Sequence, residues 1–332
     1  MASEIGREEV VRLLIEQGAE VNGEYNESAL HLASNKGHEK VVRLFIEAGV
    51  DLDARCTWGN TALYKACSEG HSTVARLLLE KGAALNAQGT YHGTPLQAAA
   101  AKGHETTVRL LLNMGADINA LNSYYITRGL TEEDWHDSNG PYANALEAAI
   151  FEERTNIVKL LLENGARIDY NMQLRPLGLY GSLLHRALYK GKENIVITLL
   201  EKWVDMHSYG GKYGSLLQAA AYLGHYKAVR FLIKHGADVN VQGGQYGPPL
   251  KAAWMGRHRM LANDVPNSEA ISEELHVAAS EGYTALVQLL KRQNINLEEE
   301  RNKECITKFV DFVWIHLALV KNGADVHVLD GL

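Results

Sequence analysis

Gly93-Thr94-Pro95-Leu96-Gln97-Ala98-Ala99-Ala100-Ala101-Lys102-Gly103 is the stretch that decides the fold. Thr94 can cap a helix, and Pro95 sits at its first turn, where a missing N–H costs nothing. The alanines keep this helix slim enough to lie close to its neighbours, and Gly103 ends it. Beyond it, Val108, Leu110, Leu111 and Leu112 form the apolar face of a second helix. Gly115 closes that helix, at the position where a positive φ is wanted. Each buried leucine contributes roughly 1.5–3 kcal/mol. Two short helices cannot bury them all, so the unit has to stack against copies of itself.

Copies are present. Gly37, Gly70 and Gly103 are 33 residues apart, as are Gly49, Gly82 and Gly115, and Gly191 and Gly224 resume the step. Leu30, Leu63 and Leu96 keep it too, followed by Leu146, Leu184, Leu217 and Leu250. A period of 33 is the length of one ankyrin unit. The wording matches as well: Thr94-Pro95-Leu96 with Gly115-Ala116-Asp117-Ile118-Asn119, and Ser215-Leu216-Leu217 with Gly236-Ala237-Asp238-Val239-Asn240. The chain resembles the ankyrin-repeat family over nearly its whole length. That resemblance implies an all-α ankyrin-repeat solenoid of helix–turn–helix units joined by β-hairpin loops. Gln242-Gly243-Gly244-Gln245-Tyr246-Gly247 is similar to hairpins in the ankyrin arrays of filamentous fungi. In that lineage, such arrays look like sensor ends of signalling proteins or regulatory companions in specialised-metabolite pathways.

Departures from the ruler set the expected organisation. Glu8–Gln17 reads as a second helix ending at Gly18 with no first helix before it. That fits an unusual N-terminal cap or a piece of a larger array. From Gly115 to Gly165 is 50 residues, which places 17 extra between Asn122 and Asn144. Leu146 to Leu184 is 38, an insertion of five around Asn171–Leu177. Long loops at such places cost little, about 0.6 kcal/mol per doubling. Leu250 to Leu275 is only 25, so residues 253–270 read as a degenerate repeat and weak joint, with its second helix largely lost around Arg257–Pro266. Residues 1–252 are then the main array, and 271–332 hold C-terminal repeats and a cap at Cys305–Val328. Trp203 stands 33 residues before Gly236, where the framework wants glycine.

Composition narrows the function. A formal charge of −7 and a pI near 6.1 argue against nucleic acid as a direct ligand, since that binding rests on Lys and Arg neutralising phosphates. Cys56, Cys67 and Cys305 form no CxxC and are odd in number, which suits a reducing compartment. Met1–Leu14 carries Glu4, Arg7, Glu8, Glu9 and Arg12, so it lacks a signal-peptide core. Phe309–Val320 is too short to span a membrane. The expectation is an intracellular protein, cytoplasmic or nuclear, with no membrane and no cofactor.

Candidate sites are few. His38, His71, His104 and His225 recur after glycine, but stacked helices put equivalent residues roughly 8–10 Å apart, too far for one zinc ion. They read as turn residues, as do His31 and His185. The inserted 122–144 loop contains Tyr124, Tyr125, Arg128, Glu132, Glu133, Asp134, Trp135, His136 and Asp137. It is where an enzyme or small-molecule site would be built, although no nucleophile or phosphate-loop motif accompanies these residues. Aromatics mark the hairpins: Tyr25, Trp58 and Tyr91, then Tyr142, Tyr180, Tyr213 and Tyr246. Phe151, Tyr189 and Tyr222 form a second row near the ends of first helices, where the family usually exposes a contact residue. Phe151, Tyr189, Tyr222, Tyr91, Tyr142, Tyr180, Tyr213 and Tyr246, with Trp135, are the expected surface for a protein partner held in the concave groove. The other reading is that these rings pack internally, each hairpin ring on its neighbour's hairpin.

Overall fold

The computed structural model describes residues 1–19, 21, 28–89, 93–123, 142–168, 183–202, 209–210, 212–264, 311–312 and 314–329, with backbone only at 202 and 257–264. The chain divides into two compact units, Met1–Arg167 and Ile168–Leu332.

In the first unit the described helices come in pairs: Ala2–Ile5 with Glu8–Glu16 (a short first helix where the sequence reading has none), Ala29–Asn35 with Glu39–Glu47, Ala62–Ser68 with Ser72–Glu80, Pro95–Lys102 with Glu105–Asn113, and Ala145–Phe151 with Thr155–Glu163. First helices pack on first helices and second helices on second helices. The framework leucines Leu30, Leu63, Leu96 and Leu146 are all buried between layers. Thr94 caps as the sequence predicts: its Oγ1 accepts from the Gln97 N–H (3.3 Å), and Gln97 Oε1 accepts from the Thr94 N–H (2.8 Å). Gly103 and Gly115 both adopt positive φ.

The second unit repeats the pattern with Leu183–Tyr189 and Glu193–Lys202, then Leu216–Leu223 and Tyr226–Lys234. Its hairpin Tyr209–Gly210 with Gly214–Ser215 is a short antiparallel pair, Tyr209 opposite Ser215.

The last described repeat differs from the expectation. Residues 253–264 are not a break but part of one continuous helix, Pro249–Asp264, whose first half takes the first-helix position against Leu216–Leu223. The second-helix position is filled by residues 311–312 and 314–321. Two registers fix this. Phe312 stands against Gly224 as His71 stands against Gly37 and His104 against Gly70. Asn240 Nδ2 donates to the Gly323 carbonyl (2.9 Å), and its Oδ1 accepts from the Asp325 N–H (2.8 Å). Asn119 does the same to Gly165 (3.5 Å) and Arg167 (2.9 Å) in the first unit. Gly323 follows Gly236 by 87 residues, so 54 residues beyond the 33 of a plain repeat separate them. The expected 271–332 block therefore divides: 311–329 complete the repeat that Pro249 opens, and 271–310 lie outside the described residues. The same holds for 265–270, the rest of the expected joint, and for Trp203 and Asn171–Leu177.

Candidate functional site

Two kinds of residue link neighbouring repeats within the units. The first is the residue at the start of each second helix. His38 Nε2 bonds the Glu4 carbonyl (2.8 Å), His71 that of Asn35 (2.9 Å), His104 that of Ser68 (2.9 Å) and His225 that of Leu188 (2.7 Å). Arg154 takes the place once, its Nε donating to the Ala101 carbonyl (3.2 Å). These side chains are stitches between helix ends, their carbonyls lying in the last turn, where a helix runs out of donors. They also explain the glycines: a methyl at Gly37 would come within 2.5 Å of the His71 ring, on a backbone at φ 75°.

The second linking residue follows the framework leucine. Gln97, already holding Thr94, donates through Nε2 to the carbonyls of Ala120 (2.9 Å) and Ala143 (3.2 Å). Gln218 repeats this: its Oε1 accepts from the Ser215 N–H (2.7 Å), and its Nε2 donates to the carbonyls of Gly243 (2.7 Å) and Gly247 (2.7 Å). Buried His31 and His185 occupy the same place. His31 Nε2 reaches the Asn60 carbonyl (2.9 Å), with Ser28 Oγ 2.6 Å from its Nδ1, and His185 Nε2 reaches the Gly214 carbonyl (3.0 Å). Burial lowers the His185 pKa to about 4, against the pull of its backbone hydrogen bonds. No group of three or more His, Cys, Asp or Glu among the described residues could hold a metal ion. Burial likewise pushes the Cys67 thiol well above its ordinary range, which leaves it a poor nucleophile.

The aromatic rows come together differently from their spacing. Tyr142 and Phe151 lie nine residues apart in sequence, and so do Tyr213 and Tyr222. In each pair the hairpin ring folds back on the ring at the helix end, with centroids 6.2 Å and 5.5 Å apart. The two rows are one set of columns. Tyr246 of the next hairpin then stacks on Tyr222 at 3.9 Å and 19°. Tyr222, expected at an exposed contact position, is covered by this packing. Tyr222 is 6 % exposed and Tyr213 and Tyr142 are buried, whereas Phe151, Tyr189 and Tyr246 are half-buried. Lys212 Nζ lies 5.2 Å from the centre of the Tyr213 ring. Trp58, at a hairpin tip of the first unit, is 69 % exposed. Tyr25, Tyr91, Tyr180, Trp135 and residues 124–141 of the inserted loop lie outside the described residues.

Sequence reasoning missed the Gln97 and Gln218 clamps. The available signal was a glutamine three residues past a capping Thr or Ser and directly after a framework leucine. No described helix is long and apolar enough to cross a membrane.

The model of ankyrin repeats in three copies matches residues 1–56, 48–122 and 146–243. No curated protein matches the chain. Among solved structures it is similar to the human ASB11 ankyrin repeat domain, with 25% identity and a TM-score of 0.53, over 68% of this chain and 92% of that one. With some two thirds of its residues under the family model and its stacked helix pairs locked by the same side chains, the chain belongs to the ankyrin-repeat family.

Proposed function

We infer that this chain is a non-catalytic scaffold that holds a protein partner against the aromatic columns at the ends of its first helices. Ankyrin repeats are in general protein–protein interaction modules. The observation that carries the reading is the packing of Tyr213, Tyr222 and Tyr246. Two rings are buried and hold the third, half-buried Tyr246, in a fixed orientation. Phe151 is held in the same way by Tyr142, Ala101 and Ala148. A ring fixed before binding loses little further freedom when a partner covers it, which is why aromatic anchors dominate many interfaces. Tyr189, in the second unit, is a half-buried ring at the matching place of its own repeat.

The test measures melting temperature and partner affinity on the same variants, with the partner isolated by cross-linking from native extract. Phe151→Ala, Tyr189→Ala and Tyr246→Ala should each leave the melt nearly unchanged. At least two should weaken binding by about 2 kcal/mol, near thirty-fold. Unchanged affinity in all three would place the interface elsewhere. Tyr222→Ala is unsuitable, because its buried ring is structural.

A further inference from the structure

We propose that the outer face shared by Tyr226–Lys234 and the 314–321 helix is a second docking site, which takes an acidic peptide segment of a partner protein, with an apolar side chain among its carboxylates. This face is built from second helices, whereas the aromatic columns are built from hairpins and first helices.

The argument rests on positions that face outward in repeat after repeat. Count from the residue that starts each second helix: His38, His71, His104, Arg154 and His225. Two positions on stand Lys40, Thr73, Thr106, Asn156 and Lys227, and five on stand Arg43, Arg76, Arg109, Lys159 and Arg230. All are exposed, even in Glu39–Glu47, Ser72–Glu80 and Glu105–Asn113, which have a second helix packed on both sides. Exposure here belongs to the fold and is not left by a chain end. The Glu193–Lys202 helix places Asn194 and a half-buried Ile197 at these positions. Counted from Phe312, the 314–321 helix places Trp314 and Leu317 there, 45 % and 39 % exposed. A single exposed apolar residue needs no explanation, but two large ones side by side at water-facing positions mark an interaction site.

The charge of this face changes as well. Nine positions past the start stand Glu47, Glu80, Glu163 and Glu201, with Asn113 as the exception, and then Lys234 and Lys321. One position past the start, Glu39 pairs with Arg43 (3.0 Å) and Glu105 with Arg109 (2.7 Å). Tyr226 takes that place in its helix, and Arg230 lies 5.6 Å from the centre of its ring instead. Among the described residues no carboxylate pairs with Arg230, Lys234 or Lys321. Lys227 is not part of this set, because it acts on Asp311, whose pKa burial and Glu193 raise and Lys227 lowers.

These features name the occupant. Three cations without carboxylate partners call for a segment that brings its own carboxylates. Trp314 and Leu317 call for an apolar side chain between them. The Trp314 ring leans on Tyr226, with centroids 6.3 Å apart, so the two form a shelf on which a side chain can lie. A membrane anchor has instead to sink its apolar side chains into the lipid.

Fluorescence anisotropy on the 332-residue chain tests this with three labelled peptides: repeating Glu-Leu-Asp-Glu, its Gln-Leu-Asn-Gln counterpart, and a Lys-Leu-Lys-Lys control. The first should bind, less tightly as salt rises, and the other two should not. The pair Lys234→Glu and Lys321→Glu, and separately Trp314→Ser, should each weaken the acidic peptide by at least about tenfold. Should Trp314→Ser lose helical circular dichroism, Leu317→Ser gives the same readout at the neighbouring exposed position. Tyr246→Ala should leave this affinity unchanged, and a loss there would overturn the proposal by moving the peptide to the aromatic columns. No binding of the acidic peptide overturns it, as does binding that survives the lysine reversals or is matched by the neutral peptide. Co-sedimentation with phosphatidylserine vesicles that the lysine reversals abolish overturns it in favour of a membrane surface.

Discussion

Gln97 and His185 occupy one framework position in two repeats, and the difference between them shows how much freedom that position has. Both are buried, and both reach the carbonyl that precedes the next repeat's first helix. The glutamine also accepts from its own helix cap and holds a second carbonyl, so it engages three backbone groups. The histidine holds that carbonyl with a ring that has to stay neutral. In these two repeats the position is filled by a polar side chain of this reach, but not by one chemistry. A glutamine is indifferent to pH. A histidine makes its repeat acid-sensitive.

The largest expected effect is that of Gln97→Ala. The Thr94 N–H and the Ala120 carbonyl lose their partner at ~1–3 kcal/mol each, while the Ala143 carbonyl keeps the Asn122 N–H (2.9 Å); with the packing of a buried side chain also lost, a loss of about 4 kcal/mol should appear in urea unfolding. A loss under ~1 kcal/mol would mean that water replaces the amide, and the comparison would collapse. Next comes acid. His185 titrates near 6.5 when unfolded and about 4 when folded, so the fold favours its neutral form. Its contribution is complete above pH 6.5 and drains away as pH falls towards 4, by roughly 3 kcal/mol in all. Hydrogen exchange on Leu183–Leu200 should report that loss, and a flat pH profile there would refute it.

His185→Gln sharpens the comparison further. It should remove most of the acid sensitivity while changing stability at pH 7.5 by no more than about 1 kcal/mol, in line with a volume-conserving exchange. Thr94→Ala is the smallest change. It removes one cap hydrogen bond but leaves the Gln97 clamp, and should cost about 1 kcal/mol. A much larger loss would show that the cap positions the glutamine rather than merely joining it.

Much of this was legible in the sequence. The 33-residue ruler, the Thr94-Pro95 start and the positive φ at Gly115 follow from residues that can do little else. Gly37 and His71 were legible only separately. Their pairing is a contact across repeats, and no local pattern says that a glycine is needed because a ring lies on it. The aromatic columns were only half legible for a similar reason. Spacing of 33 reveals rows along the stack, whereas the nine-residue fold-back that buries Tyr213 on Tyr222 runs across them. The divided last repeat escaped because its halves are separated by more than a full period. Gly323-Ala324-Asp325-Val326 does echo Gly236-Ala237-Asp238-Val239, and that echo was the available clue.

The divided repeat also has a consequence in time. Elsewhere a first helix waits only a few residues for its partner; Pro95–Lys102 is followed at once by Glu105–Asn113. The helix that ends at Asp264 has to wait for residues 314–321, some fifty residues later. At ribosomal speeds of roughly 5–20 residues per second, that interval is about 2.5–10 s. Throughout it the nascent chain carries a half-built repeat, with the Gly224 end uncovered until Phe312 emerges. Synthesis thus leaves a window of several seconds in which another molecule can reach a surface that the finished protein keeps closed.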